Sequence, residues 1–163
     1  MATQQIQWDL SELFSSATDP KISQAIQEAI TLANAFEKTY RGKITKLNAN
    51  NLLDCLRSIE AFEAKFSDIT LFSSLSFSAN MTSIQTQSLY DRVKKLKAAV
   101  GKQLMFFQLE LGTLLKSKPQ IILEPNLNNY RHMLELVHRN VKHQLSEIEE
   151  QLIIEKDQFG IVA

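Results

Sequence analysis

The three histidines, His132, His138 and His143, are the side chains with the most chemistry to offer, because imidazole both ligates metals and carries protons near neutral pH. A zinc peptidase site sets two His four residues apart on one helix face, with a Glu between them as the base. No His-Glu-x-x-His string occurs in this chain. Its histidines are six and five residues apart, which turns successive rings by about 240° and 140° around a helix. Only His132 and His143 share a face, and about 16 Å of helix rise separates them. Ligands must approach an ion to roughly 2 Å, so the pair cannot grip one metal. Glu135 and His138 do form one Glu-x-x-His element of the carboxylate-bridged di-iron kind, but that site needs a second element and two further Glu. Asn129 and Asn140 occupy the positions three before His132 and His143, so no second copy exists.

The remaining reactive types read the same way. Cys55 lies among Leu52, Leu56 and Ile59, where a thiol behaves as a small apolar group; Arg57 is on the wrong side of the helix to stabilise a thiolate. Arg92, Lys94, Lys95, Lys97 and Lys102 form a basic stretch without interleaved aromatics, which predicts a solvated helix face and no nucleic-acid partner. The four glycines, Gly42, Gly101, Gly112 and Gly160, are isolated, so there is no phosphate-cradling loop. No serine sits in a Gly-x-Ser-x-Gly elbow. The sequence therefore offers no catalytic residue, no cofactor-binding residue and no metal ligand set.

The elements around these residues are legible from apolar spacing. Ile22, Ile26, Ala29, Ala33, Phe36 and Tyr40 step by 4, 3, 4, 3 and 4, one stripe of a helix that Asp19 caps, Pro20 opens and Gly42 closes. A second helix is predicted to start among Asn48, Asn50 and Asn51 and to turn Leu52, Leu56, Ile59, Phe62 and Phe66 inward, with Asp54, Arg57 and Lys65 opposite. A shorter Ser-rich segment over 68–79 follows, with Ile69, Phe72, Ser76 and Ala79 at similar spacing. Leu89, Val93, Leu96, Val100, Leu104, Phe107, Leu111 and Leu114 then fall within an arc of about 80°, predicting one long helix over 83–116, on the order of 50 Å. Gly101 inside it costs about 1 kcal/mol of helix propensity and marks a point where another helix comes close. Pro119 and Pro125 bracket a short apolar piece, Ile121-Ile122-Leu123. A helix over 126–143 is expected to bury Leu127, Tyr130, Leu134, Val137 and Val141. Ser146 and Glu149 have capping-box spacing, so a last helix is expected over 146–157, before Gly160.

The bulk numbers agree. With 163 residues the chain is most simply one domain, 1–163, able to build a core without disulfides or metals. Seven Gly plus Pro are too few for the turns of an all-β fold. The reading is all-α: an antiparallel helical bundle with one long helix. Eighteen Lys plus Arg balance eighteen Asp plus Glu, which removes strong electrostatic recognition as a function. No apolar run approaches the roughly 20 residues of a bilayer span, so no membrane is expected. Residues 1–9 lack a secretory pattern and there is a single cysteine, so a cytoplasmic location is expected.

A set of strings, taken in order, adds a resemblance. Trp8-Asp9-Leu10-Ser11-Glu12-Leu13-Phe14, Asp19-Pro20-Lys21-Ile22 and Ala35-Phe36-Glu37-Lys38-Thr39-Tyr40-Arg41-Gly42-Lys43-Ile44 look like the opening of oligoendopeptidase F and its relatives. Phe106-Phe107-Gln108-Leu109-Glu110-Leu111 resembles the middle of that family's N-terminal region. Tyr130-Arg131-His132-Met133-Leu134-Glu135 and Leu145-Ser146-Glu147-Ile148-Glu149-Glu150 resemble its end. The likeness spans about 6–163. In that family the zinc ligands and the base lie in a longer C-terminal region, to which nothing here corresponds.

The resemblance implies the N-terminal, non-catalytic helical part of a cytoplasmic zinc metalloendopeptidase that hydrolyses short peptides, inactive alone and cut short relative to its parent. It implies zinc for the parent only, the downstream catalytic domain of that parent as partner, and an oligopeptide as the parent's substrate. In related enzymes such helices form one wall over a deep zinc-containing cavity that admits short flexible peptides and excludes folded proteins. The leucine stripe and Phe36, Phe62, Phe66, Phe106 and Phe107 are candidates for that wall, although apolar residues at helical spacing more often form a core. The alternative is a free-standing helical protein-interaction module.

Overall fold

The computed structural model describes residues 9–143, 145 and 147–158. The described residues form five α-helices: α1 (Pro20–Tyr40), α2 (Ala49–Ala79), α3 (Ile84–Ser117), α4 (Arg131–Asn140) and α5 (Glu147–Gln158). Short 3-10 turns at Ile44–Lys46, Pro119–Leu123, Pro125–Tyr130 and Val141–His143 join or flank them. No strand occurs among the described residues.

Local chemistry sets the boundaries. Asp19 accepts the Lys21 N–H at 2.9 Å and Pro20 fills the first position of α1. Its other oxygen accepts from the Ser15 N–H and hydroxyl, and these bonds hold the Asp19 carboxyl below its ordinary range. Asn48 caps α2 by accepting from the Asn51 N–H at 2.9 Å, and Ser83 caps α3 through Thr86. Gly42 takes φ of +77° after α1, a conformation that a side chain resists. Asn80 to Ser83 turn the chain so tightly that α2 and α3 must run antiparallel.

The core follows much of the stripes expected from spacing, although Tyr40 and Phe66 are only partly buried. Ile22, Ile26, Ala29, Ala33 and Phe36 of α1 are buried, and so are Leu52, Cys55, Leu56, Ile59 and Phe62 of α2. From α3 come Leu89, Val93, Val100, Phe106, Leu111, Leu114 and Leu115. α1 packs on α2 and α2 on α3, while α3 also touches α1, α4 and α5, which makes the long helix the axis of the bundle. Each large aliphatic side chain taken fully from water contributes about 1.5–3 kcal/mol, and Leu111, Leu114 and Leu115 are completely buried.

Three expectations need correction. The Ser-rich segment over 68–79 is the second half of α2, a single helix of 31 residues, because nothing at 66–68 breaks the backbone ladder. Within it Ile69, Phe72 and Ser73 are buried, but Ala79 is exposed at the helix end. The helix expected over 126–143 is α-helical only from Arg131 to Asn140, with 3-10 turns on both sides. Pro125 and the cluster Asn126, Asn128 and Asn129 explain its start, since Asn competes for backbone hydrogen bonds and disfavours helix interiors. Accordingly Leu127 and Leu134 are buried, whereas Tyr130, Val137 and Val141 are only half-buried. The long helix begins and ends within one residue of its expected bounds, but Leu96, Leu104 and Phe107 of its stripe stay partly open. Trp8, Ser146, with its proposed capping box, and Gly160 lie outside the described residues.

Gly101 does face a neighbouring helix. A Cβ added there would meet Ile154 Cδ1 of α5 at 3.7 Å, an ordinary contact, so α5 comes close but a methyl group would fit.

Candidate functional site

Small side chains open a groove between two helices. Ser73 and Ser74 of α2 and Ala98 and Gly101 of α3 leave space that larger residues would fill, and a groove of about 710 Å³ lies between the two helices with Ile154 of α5 beside it. Ile59, Phe62 and Phe66 give its α2 wall; Val93, Leu104 and Phe107 give its α3 wall. Phe62 and Phe66 stack with ring centroids 5.3 Å apart. The five phenylalanines proposed as a wall thus differ in role: Phe66 and Phe107 line the groove, Phe62 lines it while also buried in the core, and Phe36 and Phe106, 5.9 Å apart, pack in the core.

Charge is not spread evenly around this apolar floor. The Phe77–Tyr90 stack, 4.6 Å between centroids, sets the register of the antiparallel pair. Thr70 and Ser74 therefore stand beside Lys94 and Lys97, while Glu63 lies further along, near Leu104 and Gln108. Apolar surroundings, and then the negative charge of Glu60, raise the Glu63 carboxyl above its ordinary range. Lys94 and Lys97 are the members of the basic stretch that reach the groove. Arg92 instead donates to Ser23 Oγ at 3.2 Å, and Lys102 pairs with Glu155 of α5.

A second arrangement joins segments that spacing alone does not connect. The Glu110 carboxylate accepts the Gly42 N–H at 2.7 Å and the Ile44 N–H at 3.1 Å, clamping the turn after α1 onto α3. Arg41 lies 5.2 Å from the centre of the Phe106 ring and pairs with Glu37 at 2.7 Å. Gln103 donates to Asn34 and Glu37 of α1 at 2.7 and 2.8 Å. Tyr130 donates to Glu60 of α2, and that bond is the main reason its phenol is held above the ordinary value. The clamp was invisible in the sequence because Glu110 sits on a helix and its acceptors' partners are backbone groups 66 and 68 residues away.

Among the described residues no three His, Cys, Asp or Glu side chains converge. His132 and His138 are exposed, as is Glu135. Cys55 is fully buried, and burial, followed by the Glu110 charge, pushes its thiol up to about 12, so it offers no thiolate. No helix among the described residues is long and apolar enough to cross a membrane.

Residues 110–163 match the family model for the N-terminal region of the M3 peptidases, described as Oligopeptidase F. No curated protein and no solved structure matches the chain. The match supports an oligoendopeptidase F-like N-terminal region from Glu110 onward, which includes the strings at 130–135 and 145–150. The strings at 8–14, 19–22 and 35–44 fall outside it, and the string at 106–111 only reaches into it from Glu110.

Proposed function

We propose that this chain is the non-catalytic helical N-terminal part of a cytoplasmic, oligopeptidase F-like zinc peptidase, a single domain whose α2–α3 groove forms part of the wall that restricts the parent's substrates to short peptides. The match over 110–163 carries this reading. The groove supports it, since a wall must be concave, apolar and rigid, and α2 and α3 supply 31 and 34 residues of continuous helix behind it.

The reading is tested on the parent protein. A reading frame continuing past Ala163 into a His-Glu-x-x-His segment is expected. Removing this chain from that parent should extend cleavage from short peptides to unfolded proteins. An unchanged size limit would overturn the gating role.

The exposed apolar side chains of α5, with Ile148 at 79% and Leu152 at 50% exposure, favour a second reading, a free-standing interaction module. A natural stop after Ala163 together with specific capture of a protein partner would favour it over the first.

A further inference from the structure

The α2–α3 groove is bipolar as well as apolar. Lys94 and Lys97 stand at one end beside the hydroxyls of Thr70 and Ser74, and Glu63 stands towards the other. Among the described residues no ion pair engages any of these three charges. Between them the floor is Phe62, Phe66, Val93, Leu104 and Phe107. A ligand matching this pattern has an anion at one end, an apolar middle and a cation at the other.

Helix rise sets the length of such a ligand. Thr70 and Ser74 lie seven and eleven residues beyond Glu63 on α2, roughly 10 and 16 Å along the axis. An extended peptide spans about 3.3–3.6 Å per residue, so three to five residues bridge the two charged ends. A fatty acid would satisfy the lysines and the floor but would leave Glu63 without a partner. We propose that the groove binds short apolar peptides in one direction, reading the free C-terminal carboxylate at Lys94 and Lys97 and the free N-terminal ammonium at Glu63. This rests on the reading of the groove as a chamber wall and adds to it an orientation, a length and the residues that set both.

The test is an NMR-monitored titration of the full chain with the tetrapeptide Ala-Leu-Val-Phe in four forms: free-ended, N-acetylated, C-amidated and doubly capped. Exposed charge pairs are weak, so each cap is expected to weaken binding roughly two- to fivefold, an effect that fades with added salt. Glu63→Gln should abolish sensitivity to acetylation and leave sensitivity to amidation. Lys94→Met with Lys97→Met should do the reverse. A merely structural role for these exposed residues would not produce that crossed pattern. Equal binding of all four forms, no binding of any, or decanoate binding where the peptides do not, would each overturn the proposal. The gating role is judged separately, by the size limit of the parent, so the two fail independently.

Discussion

Replacing Glu110 tests how the turn after α1 is held against the bundle. Its two carboxylate oxygens accept from Gly42 and Ile44 at 2.7 and 3.1 Å, and the second bond is partly buried. A hydrogen bond to a charged group contributes about 1.5–3 kcal/mol when shielded, and solvent access places both bonds towards the low end. Glu110→Ala also frees the Gly42 and Ile44 N–H groups, of which only the former readily finds water. A net loss of about 2–3 kcal/mol follows. Glu110→Gln keeps one acceptor but points an amide donor at the other N–H, so it should lose roughly half as much or more. For a chain of this size, about 2–3 kcal/mol lowers Tm by roughly 4–12 °C. Urea unfolding followed by helical circular dichroism measures it, with Glu135→Ala, an exposed carboxylate on α4, as the control. A shift below about 0.5 kcal/mol for Glu110→Ala would refute the clamp.

Three further substitutions probe separate parts of the same account. Gly101→Ala should stabilise by up to about 1 kcal/mol in urea unfolding, because the added methyl meets Ile154 at an ordinary 3.7 Å; destabilisation would mean that α5 crosses more tightly. Gly42→Ala has open space around its Cβ but must hold φ near +77°, so the same measurement should record a loss of about 1–2 kcal/mol. Cys55 should resist a thiol reagent at pH 8 until denaturant is added. Its thiol titrates near 12 when folded and 9.0 ordinarily, so the unfolded chain releases the proton first and stability must fall as pH rises between them. Unfolding curves of wild type and Cys55→Ala should converge over that range, and parallel curves would contradict the burial of the thiol.

Local chemistry made the helices readable. Asp19 with Pro20 is a cap that announces itself in sequence, and the starts expected near Asn48 and at position 83 turn out to be capped by Asn48 and Ser83. Apolar spacing identified the buried stripes of α1 and of the long α3 for the same reason: a helix repeats its face every 3.6 residues whatever it packs against. Spacing could not decide whether the Ser-rich stretch continued α2, since serines neither cap nor break a helix until their neighbours are known. It also could not separate Phe66 and Phe107, which line the groove, from Phe36 and Phe106, which fill the core, because all fall on inward faces. Lys94, Lys97 and Glu63 lie on helices separated by a turn, and only the antiparallel register places them along one groove. The same holds for Glu110 and the Gly42 turn.

The central claim is that this chain gives shape to a peptidase without carrying its chemistry. Zinc content and hydrolysis of a quenched fluorogenic peptide, measured on the purified chain with added zinc and then with a chelator, test it most directly. The account predicts no stoichiometric zinc and no chelator-sensitive cleavage. One tightly held zinc per chain, with cleavage that disappears on chelation, would contradict it.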